Sequence, residues 1–357
     1  MKIRKCPLGK IKYVKRFCKT FESQVWKIRF ENKLKYHVLK TISLKNTAVY
    51  VKLAWKKAGF LKPPKKLENV RSKFFKEYSE YKNHLQKDDR HTIHRIKRCW
   101  EPWNRDGSTK IIRSNEYYHE ISIMKVLNKY ANIHLPVDVF CKKLTSWNTF
   151  LYGNIVMEHG GCDFEKCAPL FNLIQLQSLV FQLLIALSWA QEKLHFKHHD
   201  LHIGNIFIKK QKIPKIWKLP NGLEIHIPCV DYKLTIADFG FSAVTDPIEK
   251  KRYARVDYCL LNDNVRKWGQ FNPNYEGNEG YDLIYVLGNI YDYVLYKTCK
   301  DWIRSLVNIM KRQNYVKVSQ KTGRPLTKVS FTAQNLITEI LASGQFQSPQ
   351  TDAVLRS

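Results

Sequence analysis

Glycine is scarce: the sequence has 15 in 357 residues, and none between Gly59 and Gly107. Backbone amides close tightly round an anion most easily at glycine, so that stretch excludes a glycine-rich anion loop of the ordinary kind. Acidic residues are scarce too. Residues 1–100 hold 29 Lys/Arg against 7 Asp/Glu, a balance of 29 − 7 = +22. The other 257 residues carry 32 basic and 24 acidic side chains, or +8, so the net charge of +30 sits mostly at the front. Such a field favours nucleic acid, an anionic membrane surface or an acidic protein partner. Nine cysteines, an odd number, include no CxxC pair. Cys162 and Cys167 are the closest two, without a second ligand pair beside them. This excludes a zinc ribbon and a disulfide framework, and points to free thiols in a reducing compartment. The most apolar window, 179–190, is about a dozen residues, short of the ~20 that cross a bilayer. No apolar segment follows the basic start Met1-Lys2-Ile3-Arg4-Lys5. The expectation is an intracellular protein of cytoplasm or nucleus, with no transmembrane segment.

What is present is a core. Hydrophobic residues make up 44% and aromatics 13%, enough to bury a substantial interior. Strand-like pieces lie at 10–17, 47–53 and 91–99, and Lys62-Pro63-Pro64-Lys65-Lys66 reads as a linker. Ser114 is placed to cap a helix over 115–129, with Ile121, Met124 and Leu127 on one face. Strands are expected at 137–141 and 151–158. From 174 to 194, Leu176, Leu179, Val180, Leu183, Leu184, Leu187 and Ala190 recur at helical spacing, the pattern of a core helix. Residues 209–233 read as an insertion with a hairpin turning at Asn221-Gly222. Helices are expected over 281–312 and a frayed tail after 343.

The chemistry concentrates in His198-His199-Asp200-Leu201-His202-Ile203-Gly204-Asn205, followed by Asp238-Phe239-Gly240. Two carboxylates and an amide at this spacing suit phosphoryl transfer. One carboxylate can accept a hydroxyl proton, while the amide and the other carboxylate can hold Mg²⁺. The short apolar runs Ile206-Phe207-Ile208 and Leu234-Thr235-Ile236-Ala237 would set the two loops side by side. A zinc cluster of His195, His198, His199 and His202 fits the spacing less well.

These motifs resemble the protein-kinase superfamily and, within it, the haspin branch, over roughly residues 90–310. The run His198–Asn205 matches the kinase catalytic loop, with His202 where most kinases have lysine and a Gly-Asn pair after it, as haspin-like kinases do. The Leu194-His195-Phe196 lead-in, the insertion before Asp238, and the segment from Glu158 to Gly160-Gly161 are similar as well. The resemblance implies an α+β, bilobal protein-kinase-like fold with a β-rich N-lobe and a helical C-lobe. Its expected divisions are a basic N-terminal extension at 1–62, an N-lobe at 63–158, a C-lobe at 159–343 and the tail at 344–357.

It also implies ATP and Mg²⁺ as cofactors and a protein substrate phosphorylated on Ser or Thr. Asp200 would be the base, His202 would sit near the γ-phosphate, and Asn205 and Asp238 would hold Mg²⁺. Glu158 and Gly160 would lie at the nucleotide hinge, and Asp282 would brace the catalytic loop. The superfamily's phosphate-binding lysine, paired with a helix glutamate, is expected to be Lys97 with Glu120. Lys52, 68 residues before Glu120, is the weaker choice. The lid before Lys97 would be 67–78, a segment without glycine. Two other readings stand beside this one. One is a small-molecule kinase of aminoglycoside or choline kinase type, and the other is a pseudokinase that binds through its basic front. A compact, divergent chain of this kind fits a large DNA virus, acting in the host cell or virion, as well as a eukaryote.

Overall fold

The computed structural model describes residues 6–19, 23–31, 34–43, 116–148, 152–253, 280–312 and 331–344. Three strands come first: β1 (Ile11–Lys19), β2 (Ser23–Phe30) and β3 (Tyr36–Ser43). With β4 (Lys143–Asn148) and β5 (Tyr152–Glu158) they form an antiparallel sheet in the order β1-β2-β3-β5-β4. The N-lobe therefore begins inside the segment expected to be an extension. Basic residues alternate there with apolar ones, which gives strands one buried and one wet face rather than a solvated arm. The strand-like stretches at 47–53 and 91–99, the linker at 62–66 and the proposed lid at 67–78 lie outside the described residues.

Helix α1 (Glu116–His134) packs on this sheet through Tyr117, Ile121, Met124 and Leu127, all buried. It runs a turn beyond the expected end because Ala131 and Leu135 continue the apolar stripe into the core. Gly153 on β5 permits the close approach. A Cβ there would stand 2.3 Å from the Tyr117 ring.

The chain then crosses to the C-lobe by way of β6 (Cys162–Asp163), a helical turn (Phe164–Cys167) and α2 (Leu173–Leu194). Asn172 and Gln175 close α2's start as a capping box, and His195 ends it in the left-handed region at φ 47°. At 22 residues α2 is long and apolar enough to cross a membrane, contrary to the reading of window 179–190. It is the core helix here, with 72% of its apolar window buried by the protein's own elements.

Beyond α2, β7 (Ile206–Lys210) pairs with β10 (Tyr232–Ile236), register Ile208 to Leu234. The insertion between them holds the hairpin β8 (Ile216–Lys218) and β9 (Glu224–His226), and its turn includes Gly222 at φ 88°. Buried Trp217 anchors it, its Nε1 donating to the Pro214 carbonyl at 2.8 Å. After β11 (Val244–Asp246) and β12 (Lys251–Tyr253) come α3 (Gly280–Tyr293), α4 (Lys297–Arg312) and α5 (Ala333–Ala342). The architecture is bilobal α+β: a β-rich first lobe and a mainly helical second.

Candidate active site

Lys40 is the centre of the arrangement. Its Nζ lies 2.8 Å from Glu120 Oε2 on α1 and 2.8 Å from Asp238 Oδ1. The Lys40 and Glu120 side chains are almost wholly buried, at 6% and 1% exposed, while Asp238 keeps 45% of its side chain open. A buried lysine is tolerated only when paired in this way. Lys40 thus occupies the place expected for Lys97. Both Lys97 and the alternative Lys52 lie outside the described residues.

The antiparallel hairpin β1–β2 directly precedes β3, in a run that has no glycine from Lys10 to Ala58.

The catalytic loop is fixed mainly by backbone bonds. Asp282 on α3 accepts from the amides of His198 (2.6 Å) and His199 (2.9 Å). His198 is fully buried, with Nε2 3.0 Å from the Ala237 carbonyl, and Ser242 Oγ donates to the His198 carbonyl at 3.2 Å. Burial holds the His198 imidazole down to about 4, so it is neutral and donates from Nε2. Two residues here are non-glycine in the left-handed region: His199 at φ 66° and Asp238 at φ 65°. Each costs roughly 1–2 kcal/mol, and the Asp282 and Lys40 contacts hold them in place. Buried Phe239 packs its ring against His198, Phe140 and Phe196, which anchors the turn that aims Asp238.

Asn205 and Asp238 meet because the Ala237 amide donates to the Asn205 carbonyl at 2.9 Å. Asn205 Nδ2 donates to the Asp200 carbonyl at 2.9 Å, which leaves the amide oxygen as the acceptor that a cation would need. Among the described residues no group of three or more His, Cys, Asp or Glu could hold a metal ion. An amide oxygen and one half-open carboxylate fit Mg²⁺, which keeps waters and takes phosphate oxygens rather than a full protein cage.

Burial first, then the charges of Asp238 and Asp282, push the Asp200 carboxyl up to about 7. Burial also pushes Asp238 up, but Lys40, His198 and the Gly240 amide outweigh it, and that carboxyl ends below its ordinary value. His202 stands 3.8 Å from Asp200 by its Nε2, and its Nδ1 accepts from the Gly204 amide at 3.1 Å. Burial lowers its pKa, against the pull of Asp238 and Glu165. It faces Asp200 as a neutral donor rather than as the cation a lysine would supply.

Glu158 closes β5, opposite His37 on β3, with Lys35 Nζ 3.4 Å from its carboxylate. Gly160 and Gly161 carry the chain over β7. A Cβ on Gly160 would meet Phe207 at 2.8 Å, and one on Gly161, at φ 114°, would meet the Ile208 carbonyl at 2.1 Å. Gly161→Ala is expected to cost roughly 3 kcal/mol. Gly222→Ala, where φ is 88° but the space is open, should cost about half as much; urea unfolding of both variants checks this.

Residues 120–271 match the family described as "Haspin like kinase domain". That segment, rather less than half of the chain, is similar to a haspin-like kinase domain. The serine/threonine-protein kinase haspin of Bos taurus is 33% identical over 133 residues, covering 32% of this chain and 17% of that protein. The Arabidopsis thaliana haspin homolog is 31% identical over 93 residues, 26% of this chain and 15% of that one. The Drosophila melanogaster homolog is 27% identical over 184 residues, 45% and 32% respectively. A crystal structure of a kinase domain aligns at TM-score 0.33 and 12% identity, over 66% of this chain and 51% of that chain. The chain thus spans about a sixth of the bovine protein's length. The haspin-like match opens at Glu120, so Lys40 and its three strands lie before it and rest on the geometry above.

Proposed function

We propose that the chain is an ATP-dependent protein kinase that transfers the γ-phosphate to a Ser or Thr hydroxyl. The observation that carries this reading is the Lys40–Glu120–Asp238 pairing, with Asp200 and Asn205 held beside it. Glu120 keeps Lys40 extended toward the cleft, where its ammonium would meet nucleotide phosphates. Asp200 would accept the proton of the acceptor hydroxyl, and a carboxyl pushed up to about 7 is matched to that work near neutrality. His202 Nε2–H is placed to donate to an oxygen beside Asp200. Asn205 and Asp238 would hold Mg²⁺, which supplies the neutralisation of phosphate charge when bound. Positioning and fixed charge, rather than covalent chemistry, would provide the rate.

The purified chain, given labelled ATP with Mg²⁺, should label a protein such as casein or histone and leave aminoglycosides unlabelled. EDTA should abolish the labelling and added Mg²⁺ restore it. Labelled aminoglycoside would instead support the small-molecule kinase. No transfer to any acceptor would support the pseudokinase that the glycine-free lid suggests.

A further inference from the structure

The sheet face that carries Lys40 also carries two consecutive like-charged cross-strand pairs. Lys12 on β1 stands across from Arg29 on β2, and Lys15 across from Lys27. The alternation puts them on Lys40's side, since Val25 is across from Lys40 and Lys27 from Val38. Tyr36 extends the Lys12–Arg29 row onto β3, is 39% exposed, and lies with its ring centroid 4.0 Å from Lys27 Nζ. Lys12 and Lys15 are exposed, and Lys27 and Arg29 are half-buried. Among the described residues no carboxylate forms an ion pair with any of the four, while Glu31 pairs with Lys10 and Glu158 with Lys35.

Like charges directly opposite destabilise a strand pair. Lysine on an outer strand has a simple use, because it deters edge-to-edge pairing, and β1 is the outer strand. That accounts for Lys12 and Lys15. It does not account for Lys27 and Arg29, which lie on an interior strand and repeat the same charge in register. A polyanion laid along the face would turn this repulsion into attraction. The exposed ring beside the cations distinguishes among polyanions, since bases stack on aromatic faces while an acidic peptide gains little from one.

We propose that this face binds single-stranded nucleic acid, with phosphates on Lys12, Lys15, Lys27 and Arg29 and a base against Tyr36. It is separate from the phosphoryl-transfer reading and stands without it. The test is fluorescence anisotropy of the full chain with a short fluorescein-labelled oligothymidylate across a salt series. Lys12→Gln/Arg29→Gln should weaken binding about tenfold at low salt and lower the log–log salt slope by about 1.4, some 0.7 for each lost phosphate contact. Tyr36→Ala should weaken binding about tenfold and leave the slope unchanged. The charge-keeping Lys12→Arg/Arg29→Lys should bind as the unchanged chain does, and equal melting temperatures would confirm that the variants fold. Lys210→Gln/Lys212→Gln, in the other lobe, removes equal charge and should leave binding intact. Absence of binding at low salt, or an equal loss in the Lys210/Lys212 variant, would overturn the proposal. So would polyglutamate that competes as well as the oligonucleotide and is indifferent to Tyr36→Ala, because an acidic protein would then be the better occupant.

Discussion

Lys40→Met is expected to lower kcat/KM about 10²–10³-fold, roughly 3–4 kcal/mol of transition-state stabilisation, the usual cost of removing one preorganised charge or donor. The chain places this ammonium 2.8 Å from both Glu120 and Asp238, a position that one lysine fills. Lys97→Met and Lys52→Met should therefore keep activity close to that of the unchanged chain. A large loss in either, with Lys40→Met active, would remove Lys40 from the site. The same substitution tests the packing. Glu120 is fully buried, and losing the cation that faces it should destabilise the fold by roughly 3–5 kcal/mol. Lys40→Met/Glu120→Met should regain most of that stability in urea unfolding and none of the activity. Recovery of stability without turnover separates the electrostatic role from the structural one.

The contrast between Lys40 and Asp200 shows what could be read from residues alone. Asp200, Asn205 and Asp238 lie in contiguous motifs whose spacing is local, and short strands on either side bring them together. Lys40 has no motif of its own. Its strand is buried on both faces at Leu39 and Ile42, so its pattern lacks clean alternation, and a lysine in the middle weakens it further. Eighty residues separate it from Glu120 in sequence, because residues 44–115 intervene between β3 and α1. A short strand-to-helix connection points instead to Lys97, which has the right local pattern at the expected distance from Glu120. One signal could have found Lys40: two amphipathic strands, 11–19 and 23–30, close enough to form a hairpin, precede it directly. With that hairpin in view, the next strand becomes the candidate for the lysine that pairs with Glu120. In the same stretch the dense basic charge masks the strand periodicity, so three strands of the first sheet look like a basic extension. The helices were more legible, because α2 and α1 carry long stripes at i, i+3 and i+4 that no connection length can disguise.

Asp200→Asn should reduce turnover by about 10²–10⁴-fold while making the metal-free protein more stable at neutral pH. The sign follows from the two ends of the titration. Unfolded, the carboxyl titrates at its model value of 3.8, and in the fold it is pushed up to about 7. Between these values the unfolded chain has lost a proton that the folded chain keeps, so ionisation favours unfolding and stability falls as pH rises. Below about pH 4 the group is neutral in both states and the penalty is absent. Above about pH 7 it is complete. His198 works the other way in nearly the same window. Held down to about 4 from a model value of 6.5, it gives stability that is present above 6.5 and is lost as pH falls toward 4. In the unchanged chain these two slopes oppose each other and largely cancel. With Asn at 200 only the histidine slope remains, so unfolding free energy in EDTA should climb between about pH 4 and 6.5. At about pH 8 the variant should be the more stable by roughly 2 kcal/mol, a shift of about three units at about 1.4 kcal/mol per unit discounted for a partly open side chain. Parallel stability curves for the two proteins would mean that Asp200 titrates in the fold as it does in the unfolded chain. The stabilising effect of a substitution that destroys turnover would mark Asp200 as a group kept for chemistry at a cost to the fold.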